Sequence, residues 1–192
     1  MTKYKKALGI SVLSLLAVLV AAGPALAEGV APGESGGGLM PLGGGETDNG
    51  DIIEITAPDD ITGWSLRPGQ DNTQEGTLKV NASGPWSVTV NDTSATTAGK
   101  MTEYNTTTGN YIAENPIKLA ANMTVKATGV NGTDTYQTLP VGDIIAQNTT
   151  SGTGGSEVSV PVVFKQDISW SDPVSAANRG YKIVITFTGS VA

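Results

Sequence analysis

The chain has 192 residues, no Cys, no His, and 11 basic against 18 acidic side chains. Without Cys there is no disulfide framework, thiolate zinc site or thiol nucleophile; without His there is no imidazole base, histidine metal ligand or Ser-His-Asp triad. A net charge of −7 repels nucleic-acid phosphate, so neither DNA nor RNA is an expected partner.

At the N-terminus Lys3, Lys5 and Lys6 precede an apolar stretch over residues 8–22, then Gly23-Pro24 and Ala25-Leu26-Ala27. A positive start, a short apolar run and a small-residue cleavage site make a secretory leader, so residues 1–27 are expected to be a signal peptide that is removed before Glu28. The run is shorter than the ~20 residues a membrane span needs, and no second run of that length follows. Loss of the three leader lysines leaves 8 basic against 18 acidic residues, net −10. The mature chain is expected outside the cell, held there by non-covalent contacts, with no membrane span. Residues 28–50 are Gly-rich and read as a flexible linker. A phosphate-cradling Gly loop needs a strand before it and a helix after it; a donor strand passed to a neighbouring subunit needs alternating apolar residues. This segment has neither.

Residues 51–192 alternate with a period of two. Leu78 and Val80; Trp86, Val88 and Val90; Met123, Val125 and Ala127; Val158, Val160, Val162 and Phe164; and Tyr181, Ile183, Ile185 and Phe187 are each interleaved with mostly polar residues. Such runs are half-buried strands with one wet face. Pro68-Gly69, Ser83-Gly84-Pro85, Asn131-Gly132 and Gly154-Gly155 mark turns between them. No helical stripe appears. The pattern predicts an all-β domain, a single antiparallel β-sandwich of Ig-like or jelly-roll-like type, large enough to bury a core without disulfides. Pro161 is expected on an edge strand or at a bulge, because it cannot donate to a ladder. Trp86 shares the parity of Val88 and Val90 and should point into the core; Trp170 shares the parity of Ile168 and should be half-buried.

Asn-x-Ser/Thr sequons occur at Asn81, Asn91, Asn105, Asn122, Asn131 and Asn148. Parity or loop context puts all six outward, so on an exported chain they read as N-glycan acceptors. Trp64, Tyr104, Tyr111 and Tyr136 are the aromatics that could instead line a sugar-binding groove. Asp48 and Asp51, and the pair Asp59-Asp60, form oxygen-rich turns that could hold calcium weakly, although none matches a twelve-residue EF-hand loop and each also reads as a plain Asx turn. No other cofactor is expected. Glu103, Glu114, Asp167 and Asp172 are the carboxylates a glycosidase-type pair could draw on, but nothing in their spacing pairs any two, and no enzyme activity is expected.

Trp64-Ser65-Leu66 spells W-x-L, and Tyr181-Lys-Ile-Val-Ile-Thr-Phe187-Thr-Gly189 resembles the second signature of WxL surface domains, with Phe187 at its Trp and Gly189 at its final Leu. Those are secreted β-sandwich domains that attach non-covalently to cell walls, and the resemblance makes Trp64, Leu66, Tyr181 and Phe187 the motif residues. The wider pattern, including the stretches around Trp64, Trp86 and Trp170, is also similar to exported β-sandwich proteins of archaea. Both resemblances imply a surface protein without catalysis, whose partner is an envelope polymer or glycoprotein. The expected role is structural or adhesive, in the cell envelope or an extracellular assembly. The competing expectation is a carbohydrate-binding module, which needs aromatics aligned on one exposed face. A self-assembling filament or homo-oligomer is a variant of the first, and needs an unpaired edge strand.

Overall fold

A computed structural model of the chain describes the backbone of residues 14–20 and, with side chains, residues 53–140, 143–150 and 156–191. Ten strands form and no helix occurs among the described residues: β1 (Ser14–Val20), β2 (Ile53–Thr56), β3 (Thr73–Ala82), β4 (Trp86–Asn91), β5 (Thr102–Asn105), β6 (Thr124–Ala127), β7 (Gln137–Thr138), β8 (Asp143–Asn148), β9 (Val158–Lys165) and β10 (Arg179–Val191). Residues 28–50, expected to be a linker, most of residues 1–27, expected to be a leader, and Asp48 and Asp51 lie outside the described residues.

The strands make two sheets, one ordered β1-β10-β4-β8, the other β2-β3-β9-β6-β7. β10 organises the first. Along one flank it pairs antiparallel with β4 over 186–191 and with β5 over 179–182, so that β4 and β5 follow each other down the same side. Along 182–188 it pairs with β1, in parallel; every other strand pair is antiparallel.

The period of two becomes burial directly. Leu78, Val80, Trp86, Val88, Val90, Val125, Ala127, Val160, Val162, Phe164, Tyr181, Ile183, Ile185 and Phe187 are all buried in one core between the sheets. β-branched and aromatic residues suit a pleated surface that packs on one face, and burying each such side chain stabilises by about 1.5–3 kcal/mol. Phe164 of β9 meets Phe187 of β10 edge to face across the core, with ring centroids 6.5 Å apart. One turn along, Gly189 lies directly against the Ile55 side chain of β2, where a Cβ would overlap it. β8 departs from simple alternation: a bulge opposite Val88/Thr89 shifts the register, and Ile145 and Ala146 are both buried while Ile144 is exposed.

Pro161 is not on an edge strand. β9 lies between β3 and β6, and Pro161 pairs with Thr77. The Pro161 carbonyl accepts from Thr128 N–H just past the point where β6 ends at Ala127. A residue's N–H and C=O point the same way in a strand, so the missing donor would face Thr128 at the last rung beside β6, and only that terminal bond is forgone.

The β4–β5 connection closes one end of the sandwich around buried Asp92. Its carboxylate accepts Ser94 N–H at 3.0 Å and Gly99 N–H at 2.6 Å. Gly99 has φ +84° and sits on the Leu139 carbonyl, leaving no room for a Cβ. Gly109 has a similar φ of +73° but opens onto empty space. Gly99→Ala is therefore expected to cost about 3 kcal/mol, from left-handed strain plus a backbone clash, and Gly109→Ala only about 1 kcal/mol from strain alone. Thermal unfolding of the two variants side by side measures the difference.

Candidate functional site

The sequence-selected aromatics do not assemble into a groove. Trp64 is buried in the core, 4% exposed, beside equally buried Leu66. It is a packing residue, not a sugar platform. Tyr104, on β5, is also buried, and pairs across the ladder with Gly180 of β10. Tyr111 faces Tyr104 through a β-bridge, and Lys182 Nζ reaches both rings, 5.9 and 5.8 Å from their centroids. Tyr136 belongs to the other sheet, where Lys126 and Lys165 lie over it at 5.0 and 6.0 Å. The three tyrosines are thus split between two sheets, each ring under a lysine that holds it by cation–π attraction.

Two of the four candidate carboxylates, Glu103 and Asp172, are committed to structure. Glu103 is on the inner parity of β5 and only 1% exposed; its Oε2 accepts from Arg179 Nη1 at 3.1 Å, and its Oε1 has no hydrogen-bond partner among the described residues. A buried charge with a single partner is costly to leave unpaired, so Arg179 is what allows Glu103 to sit there. Asp172 spends both oxygens on backbone donors, Ala120 N–H at 2.8 Å and Ser169 N–H at 2.7 Å. Asp167 lies beside Lys165 at 3.6 Å, and Glu114 is exposed. Glu103 and Asp172 both act on Tyr181, whose hydroxyl donates to the Pro173 carbonyl at 2.7 Å. Asp59 and Asp60 are exposed in an open polar groove of about 500 Å³ with Thr56, Gln74, Glu75 and Lys79. No group of three or more acidic residues is placed to hold a metal ion among the described residues.

The feature that sequence parity missed is Trp170. It is 84% exposed, against 4% for Trp64 and 5% for Trp86. Parity with Ile168 assumed a continuing strand, but β9 ends at Lys165, and residues 169–172 form a tight turn closed by Asp172 N–H on the Ser169 carbonyl at 3.1 Å. Asp172 then ties this turn to Ala120, and Ser171 N–H donates to Ser169 Oγ at 3.2 Å. The indole projects from a rigid support. The signal was present in Ser-Trp-Ser-Asp-Pro, where Ser, Asp and Pro are turn formers.

The six sequon asparagines behave less uniformly than their parity suggests. None is fully buried. Asn105 and Asn148 fold back as Asx turns: the Asn105 side-chain oxygen accepts Thr107 N–H at 2.8 Å, and that of Asn148 accepts Thr150 N–H at 2.9 Å. Asn131 and Asn148 line one groove of about 550 Å³ together with fully exposed Val130. Asn122 is the exception to the outward expectation, because its amide nitrogen donates to the Leu139 carbonyl. The chain matches no protein-family model, and no curated protein aligns with it significantly.

Tyr111 and Tyr181 are both pushed up from 10.0 to about 12, in each case mainly by burial; Asp92 adds to the effect at Tyr111, Glu103 and Asp172 at Tyr181. The folded protein then keeps two protons that the unfolded chain has lost. The stability they confer is complete below about pH 10 and is lost as pH rises toward about 12. The urea midpoint should fall across that window, and Tyr181→Phe, which cannot titrate, should make the fall shallower.

Proposed function

We propose that this is an exported, non-catalytic surface protein whose β-sandwich carries N-linked glycans, attached without covalent linkage in a cell envelope or extracellular assembly. One observation carries the reading: at Asn81, Asn91, Asn105, Asn131 and Asn148 the side-chain nitrogen that a glycan would occupy makes no hydrogen bond among the described residues, and none of these residues is fully buried. Carbohydrate added there displaces no hydrogen bond of that nitrogen among the described residues. The leader-like start of the chain supplies the route out of the cell. The likeness to WxL domains and to archaeal exported sandwiches gives the same class of role, with a polymer or glycoprotein as partner. Since Trp64, Leu66, Tyr181 and Phe187 are all core residues, the motif here serves the fold, and attachment would use other surface.

Glycopeptide mapping of the protein recovered from its own host tests this. Glycans are expected on at least two of the five asparagines and not on Asn122, whose nitrogen is held inside by Leu139. An unmodified chain in the envelope fraction would remove the glycoprotein reading.

Trp170 supports a second reading, a module that binds neutral polysaccharide. A rigidly held, exposed indole flanked by hydroxyls is suited to stacking on a sugar ring, and the acidic chain disfavours anionic polymers. Trp170→Ala should then reduce retention on insoluble neutral polysaccharide by about tenfold, the effect of losing roughly 1.4 kcal/mol of stacking, and leave thermal stability unchanged. Equal retention of both proteins excludes this site.

A further inference from the structure

Three sheet edges are poor templates for another strand. β2 has four residues including exposed Glu54, β7 has two, and β8 is bulged and begins with Asp143. Short, charged or bulged edges are how β proteins avoid pairing with one another. The outer flank of β10 is different. Over 182–188 one flank of β10 is covered, among the described residues, only by β1, residues 14–20, in their sole parallel pairing. The covered sequence is Lys-Ile-Val-Ile-Thr-Phe-Thr: high β-propensity, no Pro, no Gly, and one charge at its end.

We propose that this flank of β10 is an assembly edge which, once residues 1–27 are removed, pairs antiparallel with the same edge of a second copy of the chain. The inference rests on the leader reading above, because the strand that covers the edge lies inside the predicted leader. Removal leaves seven residues of the longest strand in the domain with half of their backbone groups facing outward, and such groups seek a partner strand. That the edge accepts a strand is shown by β1. The same-chain alternative, residues 28–50, is Gly-rich and lacks apolar alternation, so it makes a poor strand. A second β10 has the right length and composition, and pairing like edges about a two-fold axis satisfies both at once and closes the assembly as a dimer. Antiparallel pairing is also somewhat more favourable per residue than the parallel pairing it replaces. β2 to β10 contribute both inner faces of the core, so the shortened chain keeps what it needs to fold.

The test compares chains 1–192 and 28–192 by sedimentation equilibrium, with hydrogen exchange read at 182–188. The expected result is a monomer for 1–192 and a dimer for 28–192, with amides at 182–188 exchanging about tenfold more slowly in the dimer than at dilutions where it dissociates. Val184 alternates with core residues Ile183 and Ile185, so its side chain lies on the outer face of this edge. In the 28–192 chain, Val184→Lys and Val184→Glu should each give folded monomers, and their equimolar mixture should restore the dimer through opposite charges. A monomeric 28–192 chain overturns the proposal, as does a dimer that survives Val184→Lys with 182–188 unprotected. The leader reading is checked separately by the intact mass of the exported protein: if residues 1–27 are retained, that reading falls, while the 28–192 result still decides what the edge does.

Discussion

The contact between the inner faces of β10 and β9, with β2 alongside, is the constraint on which the rest of the domain depends. No Cys is available to staple the sheets, so they are held together by interdigitated apolar side chains. The edge-to-face pair Phe164–Phe187 sets their separation at one point, and the notch at Gly189, filled by Ile55, sets it at another. A ring pair keeps the layers apart and a missing side chain brings them close, so the sheets can meet in only one way. The same strand then fixes its neighbours: β4 and β5 run down one side of it, and through Glu103 and Arg179 it ties in the end of the sandwich where a charge is buried.

Much of this was legible in the sequence because strand parity is a local property. Whether Val88 faces in or out depends on its two neighbours and on one wet face, and that information lies within six residues. Trp170 breaks parity because β9 ends at Lys165 and a local turn follows, which Asp172 then ties to Ala120. The other readings that failed depend on contacts distant in sequence. Asn122 turns inward because a carbonyl seventeen residues on accepts its amide. Pro161 is tolerated on an inner strand because β6 stops one residue short of it. In each case the residue type was compatible with two outcomes, and the tertiary neighbour chose.

The surface divides its work. Asp172 is spent on backbone amides and Glu103 on one arginine, while Tyr104, Tyr111 and Tyr136 lie beneath lysines. The side-chain nitrogens of Asn81, Asn91, Asn105, Asn131 and Asn148 make no hydrogen bond among the described residues, and these residues are spread over strand ends and loops of both sheets.

The three tryptophans have a practical consequence. Two are sealed in the core and the third stands in solvent on a braced turn. Their emission therefore separates into two channels, a blue component that a dissolved quencher cannot reach and a red component that it can. Unfolding must shift the first, whereas anything that settles on the Ser169–Asp172 turn must alter the second alone. The molecule thus contains its own optical means of telling loss of structure from contact at its surface, with no dye attached.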